Sequence, residues 1–106
     1  MIRVVFDAAG RTLTAEGHAG YAPEGQDIVC SAVSALMYGA WNALSDLYMH
    51  GDMTEPPDAQ VGDRGYMRLS WQPREIPDTI VRYFADAIGL VAERYHEFVK
   101  FSKFNV

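Results

Sequence analysis

Cysteine is nearly missing from this sequence: Cys30 is the only one among 106 residues. That excludes an internal disulfide and a multi-cysteine zinc site, and it fits a free thiol in a reducing compartment. Basic residues are also few. Nine Lys and Arg against fourteen Asp and Glu leave a net charge of −5, the wrong sign for the basic patch of a direct nucleic-acid grip. An acidic surface suits a basic partner and serves plain solubility equally well. No run of apolar residues approaches the roughly 18 to 20 that a bilayer requires, so no membrane span is expected. The opening residues Met1 to Asp7 read as a strand rather than a signal peptide, which makes the expected location cytoplasmic. The sequence has no P-loop, dinucleotide fingerprint, repeat or low-complexity linker. His50 and His96 lack ligand spacing to His18, so neither metal nor cofactor is expected.

What is present is an ordinary globular composition, 49% hydrophobic and 22% charged, suited to a single domain over residues 1–106 with a modest core. Ile2 to Ala8 carries the β-branched and aromatic residues of a strand, Ala9-Gly10 turns the chain, and Thr12 to Ala15 continues as a second strand ending near Gly17-His18. From Ile28 the period changes. Val29, Val33, Leu36, Met37, Ala40, Trp41, Leu44, Leu47 and Tyr48 recur at intervals of three and four, an amphipathic helix with Asp27 as its N-cap. That helix should stop by His50-Gly51-Asp52, before the Glu55-Pro56-Pro57-Asp58 loop. A second hairpin then pairs Gln60-Val61 with Tyr66 to Trp71, and Pro73 and Pro77 close it. Ile80, Val81, Phe84, Ala87, Ile88, Val91, Ala92 and Tyr95 form a second helical stripe, with Asp78 as the expected cap. Trp41, Phe84 and Tyr95 sit in these stripes and read as core or dimer contacts. Val99 to Lys103 alternates apolar and polar and fits either a last strand or continued helix. The expected fold class is α+β: a two-layer sandwich of order ββαββα, with an optional terminal strand, and both helices on one face of a mixed sheet.

With Asp27 as N-cap, Cys30 is the third helical residue, where the unpaired amides and partial positive charge of a helix start favour an anion. The dipole supplies about 0.3–1 kcal/mol at an exposed terminus, too little to activate a thiol alone. His18, at the end of the second strand, is the candidate partner. Its imidazole would take the thiol proton, the thiolate would attack a peptide carbonyl, and the imidazolium would protonate the departing amine. Amides at the helix start would then meet the oxyanion. Duller explanations stand beside these: a small buried hydrophobe for Cys30, a surface residue for His18. Asp27 reads as cap and site scaffold, or as a group orienting His18 or substrate. Ser34, one turn beyond Cys30, shares its face and has either a site role or a packing role. Gly17, Gly20 and Gly25 read as positive-φ turns or as loop punctuation. The small, Gly-rich stretch Ala19 to Gln26 suits a mobile cover that orders on substrate binding.

Gly17-His18-Ala19, a short Gly-containing loop, Gly25-Gln26-Asp27-Ile28-Val29-Cys30 and Ser31-Ala32-Val33-Ser34-Ala35-Leu36 together resemble the ribosomal-processing cysteine proteases known as Prp. The similarity is densest from Gly17 to Leu44. It implies a cysteine endopeptidase with Cys30 as nucleophile and His18 as general base, a serine at position 34, and a homodimer. It also implies a substrate: the precursor of the large-subunit ribosomal protein numbered twenty-seven, whose Phe- and Leu-rich N-terminal extension is removed. Gly20, Tyr21 and Gly25 would belong to the substrate loop, in which Tyr21, Ala22 and Pro23 depart from the family pattern. Two other readings remain: a non-catalytic ribosome-associated peptide-binding or assembly factor, and a thiol-based redox sensor.

Overall fold

The computed structural model describes residues 1–106 as β1 (Ile2–Asp7), β2 (Thr12–Glu16), α1 (Ile28–Met49), β3 (Asp58–Val61), β4 (Met67–Ser70), α2 (Glu75–Arg94) and β5 (Val99–Phe104). The alternating stretch at the end of the chain is therefore a strand. The sheet order is β3-β4-β2-β1-β5. All neighbours are antiparallel except β1 and β5, which run parallel and make the sheet mixed.

Strand alternation decides where the helices lie. Ile2, Val4 and Phe6 of β1 are buried while Arg3 and Val5 are exposed, and the register sets Phe6 beside Leu13 and Leu13 beside Leu69. This single apolar face joins Val29, Val33, Met37, Ala40 and Leu44 of α1 and Val81, Ala85, Ile88 and Ala92 of α2 in one cluster of 20 buried residues. Both helices thus cover the same side and leave the other side to solvent. A Cβ at Gly39 of α1 would lie 2.8 Å from the Phe84 ring of α2, so the two helices approach closely at this point.

Two sequence expectations need correction. α1 is long and apolar enough, by length and composition, to cross a membrane. Ser31, Ser34, Asn42, Ser45 and Asp46 break its run of consecutive apolar residues without removing its average apolarity. Its buried stripe, Val29, Val33, Met37, Ala40 and Leu44, belongs to the shared core.

The second correction concerns the start of α2. It begins at Glu75, with Arg74 in the extended N-cap conformation, rather than at a cap formed by Asp78. Pro77 lies within the first turn, where its missing N–H would have had no helical acceptor. The Asp78 carboxylate is engaged elsewhere: Arg11 donates to it through Nε at 3.0 Å and Nη2 at 2.9 Å, and Trp71 Nε1 donates at 2.8 Å. This network pins the β1–β2 turn and the end of β4 to the start of α2. Asp78→Ala leaves three donors, two of Arg11 and one of Trp71, without their acceptor and is expected to cost about 1–2 kcal/mol. Equilibrium urea unfolding should record a lower midpoint for it, whereas Asp86→Ala, which removes only the surface pair with Lys103, should stay within about 0.5 kcal/mol of the parent.

Candidate active site

The end of β2 meets the start of the chain and the Arg64-Gly65 turn through backbone contacts that demand glycine. Gly17 has φ +98, and a Cβ there would strike the Met1 carbonyl; Gly65 has φ +67, and its Cβ would lie 2.5 Å from the Gly17 carbonyl oxygen. Gly17 N–H donates to the Arg64 carbonyl at 2.9 Å, and the Met1 amino group donates to the His18 carbonyl at 2.6 Å. Three segments thereby fix the strand exit that carries His18. Gly20 and Gly25 also have positive φ, 71° and 85°, so each turns the loop in a conformation that a β-carbon disfavours.

Asp27 caps α1 as the sequence indicates and does more besides. Its Oδ1 accepts from Val29 N–H at 3.0 Å and Cys30 N–H at 2.9 Å. Its Oδ2 accepts from Tyr21 N–H at 3.0 Å and Ala22 N–H at 3.4 Å. The residue is 7% exposed, the one buried charged side chain in the protein. One carboxylate therefore ties the loop to the helix, and the helix amides expected to meet an oxyanion are already occupied. The Cys30 N–H is the main influence holding the Asp27 carboxyl below its ordinary 3.8; burial opposes it, and the Ala22 and Tyr21 amides and the Cys30 thiol add to it.

Cys30 is half-buried and free, and the Ala19 N–H donates to its Sγ at 3.2 Å. A cavity of about 420 Å³ opens beside the sulfur, lined by His18, Gly20, Ala22, Glu24, Gly25, Asp27, Cys30, Ser31 and Ser34. A second, more apolar hollow of about 150 Å³ adjoins it, sharing His18, Cys30 and Ser34 and adding Gly17, Ile2, Ala15, Val33, Met37, Tyr38, Gly65 and Met67. His18, Asp27, Cys30, Ser34 and the three glycines are thus brought together. The His18 imidazole shares the cavity with the thiol without a hydrogen bond to it.

Tyr21 lines neither cavity. Its ring packs edge-on against Tyr95 at 5.7 Å and Phe98 at 5.2 Å between ring centres, anchoring the loop to the end of α2. Tyr95 is therefore a loop contact as well as a member of a helical stripe. The cover expected over Ala19 to Gln26 is tied down at Ala19, Tyr21 and Ala22. Sequence reading missed the Ala19 donor, the second oxygen of Asp27, and Glu24 and Ser31 as lining residues. Of these, Ser31 had a signal, since it adjoins Cys30 on the exposed first turn.

The model of the cysteine protease Prp family matches residues 1–100. The chain belongs to this family, and it is a cysteine protease by that membership. The ribosomal processing cysteine protease Prp of Mycoplasma pneumoniae is 48% identical over 46 residues, covering 42% of this chain and 46% of that relative. The chain thus spans about half the length of that relative. The Prp of Staphylococcus aureus is 27% identical over 88 residues, covering 80% and 78%. Its crystal structure with a covalently linked product peptide superimposes with a TM-score of 0.79 at 22% identity, covering 97% of this chain and 99% of that one. A Streptococcus mutans protein gives a TM-score of 0.70 at 28% identity, covering 97% and 91%. The shared fold is the five-stranded mixed sheet with two helices.

Because the folded carboxyl of Asp27 titrates below its unfolded value, its contribution is complete above about pH 4 and is lost as pH falls through the folded value. Amide exchange at Tyr21 and Ala22 should therefore stay slow from neutral pH down to about 5, after correction for intrinsic rates, and accelerate only in acid. In Asp27→Asn one side of the side chain carries an NH2 and cannot accept. Exchange mapping should then find Tyr21 and Ala22 unprotected at pH 7 with α1 still formed.

Proposed function

We propose that this chain is a cysteine endopeptidase that removes the N-terminal extension of a large-subunit ribosomal protein precursor through a Cys30–His18 dyad. The observation that carries the reading is the convergence of the only thiol and the His18 imidazole on one open cavity whose loop amide already points at the sulfur. The thiolate of Cys30 attacks the scissile carbonyl. His18 accepts the thiol proton, returns it to the departing amine, and activates the water that hydrolyses the thioester. Asp27, with all four of its bonds going to backbone amides, acts as scaffold rather than as the group that orients His18.

The two hollows differ in chemistry, and this supports a directional substrate. The wider side, lined by the small residues Gly20, Gly25 and Ser31, accepts extended backbone. The apolar side under Val33, Met37 and Met67 suits a Phe or Leu side chain. The net charge of −5 suits a basic ribosomal substrate. We further propose a cytoplasmic homodimer. The exposed apolar residues Ile28, Tyr38, Tyr48 and Met49 of α1 are compatible with a self-contact, and the free thiol suits a reducing compartment.

Mass spectrometry of the organism's own full-length precursor is the test of the enzyme. The parent chain should make one cut near the precursor N-terminus, Cys30→Ala none, and His18→Ala a cut slower by about 10²-fold or more. An intact but bound precursor in every case would favour the binding-factor reading. Sedimentation equilibrium should return twice the 11.8 kDa chain mass; a chain that stays monomeric at 100-fold dilution and at high concentration alike refutes the dimer.

A further inference from the structure

Among the amide donors around Cys30, the structure sets one against the sulfur and gives most of the others a partner elsewhere. Val29 and Cys30 N–H, the usual donors at a helix start, are both spent on Asp27 Oδ1. Ser31 N–H is spent on the Asp27 carbonyl at 3.1 Å, and Tyr21 and Ala22 N–H on Asp27 Oδ2. Only the Ala19 N–H is aimed at the sulfur, at 3.2 Å. Its peptide unit is held from the other end as well, because the His18 carbonyl of the same unit accepts from the Met1 amino group at 2.6 Å. A cation on that oxygen polarises the unit and makes its N–H a better donor. Ala19 itself is 5% exposed, so this donor works where water competes weakly.

We propose that the Ala19 backbone N–H is the catalytic donor of this site, serving the Cys30 thiolate first and the carbonyl oxyanion afterwards. The proposal rests on the protease reading and adds the group that stabilises its charge. Before attack the negative charge is on Sγ, and the amide points there. When the S–C bond forms, the C=O π pair moves to oxygen, and the charge moves to an atom two bonds from the sulfur, within reach of the same N–H. Collapse restores C=O and expels the amine, which takes its proton from the His18 imidazolium. Water then attacks the thioester carbon while His18 takes its proton. The second oxyanion meets the same donor, and cleavage of C–S returns the thiolate. Placing this role on the loop rather than on the helix makes catalysis depend on the Asp27 and Tyr21 anchors that hold the loop.

The single cysteine supplies the route to a test. A synthetic 1–29 thioester joined to residues 30–106 at Cys30 gives the full chain with its native sequence, and lactic acid in place of Ala19 replaces that one N–H by an ester oxygen. An α-hydroxy analogue at Ile28, whose N–H has no protein acceptor, serves as control, and acetylation of Met1 reports the effect of weakening the His18 carbonyl contact. The Ala19 ester should alkylate with iodoacetamide several-fold more slowly at pH 7 than the all-amide chain, and its kcat/KM for the precursor should fall about 10²- to 10³-fold, the loss typical of a missing oxyanion donor. The Ile28 ester should stay within about threefold on both readouts, and the acetylated chain, which keeps the Ala19 N–H but loses the cation on the His18 carbonyl, should fall between the two esters. Alkylation and cleavage both unchanged in the Ala19 ester, or a loss that the Ile28 ester alone reproduces, overturns the proposal. If the all-amide chain cuts no precursor, the protease reading has failed instead. The alkylation rate then decides alone: slower in the Ala19 ester supports the donor, equal refutes it.

Discussion

The site depends on one buried carboxylate with four amide partners. Asp27 faces the first turn of α1 with one oxygen and the Tyr21-Ala22 backbone with the other. Neither set of amides has a backbone acceptor of its own, so each would otherwise be left to water. Satisfying both with one charged group couples the loop to the helix. It also softens the repulsion that a carboxylate would exert on a negative sulfur. Four N–H dipoles converge on Asp27, so much of its charge is compensated before it reaches the sulfur.

His18 is placed by a different device. Its position follows from three backbone segments packed with no side chain between them, at Met1, Gly17 and Gly65. Glycine serves closeness of approach here, and the positive φ at 17 and 65 is the conformation that closeness imposes. The helix therefore positions Cys30 and the sheet exit positions His18. The loop between them is short enough for one carboxylate and one aromatic ring to hold it.

Much of this was legible in the sequence because it is local. Period-two alternation in Ile2–Asp7 and Val99–Phe104, the three-four spacing after Ile28, and Asp27 before an apolar run are signals carried by neighbouring residues. The misreadings came from places where tertiary partners took a residue away from its local role. Asp78 looks like a cap, yet Arg11 and Trp71 claim its carboxylate, and the helix starts a turn earlier at Glu75. Pro77 looks like a terminator, yet a first-turn position tolerates it. The second oxygen of Asp27 and the Ala19 contact depend on how the loop folds back, which no spacing rule encodes. Tyr21 was read as part of the substrate loop, and the packing of its ring on Tyr95 and Phe98, partners more than seventy residues away, is a further feature that no local signal carries.

The electrostatics of the sulfur follow from the same arrangement. A helix start favours an anion through its unpaired amides as much as through its summed dipole, and both act within the first turn. Asp27 takes up two of those amides, so the helix offers Cys30 less than its position suggests. What remains is short-range: the Ala19 amide from the loop at 3.2 Å, with His18 lining the same cavity. Short-range stabilisation is sensitive to geometry, since a hydrogen bond weakens steeply as its angle departs from linear. The surroundings of the sulfur are governed by the order of the Ala19–Ala22 backbone, and that order is set by Asp27 and the Tyr21 ring. The loop thus belongs to the site as much as the helix does, since the one amide aimed at the sulfur is held in place by the loop's own anchors.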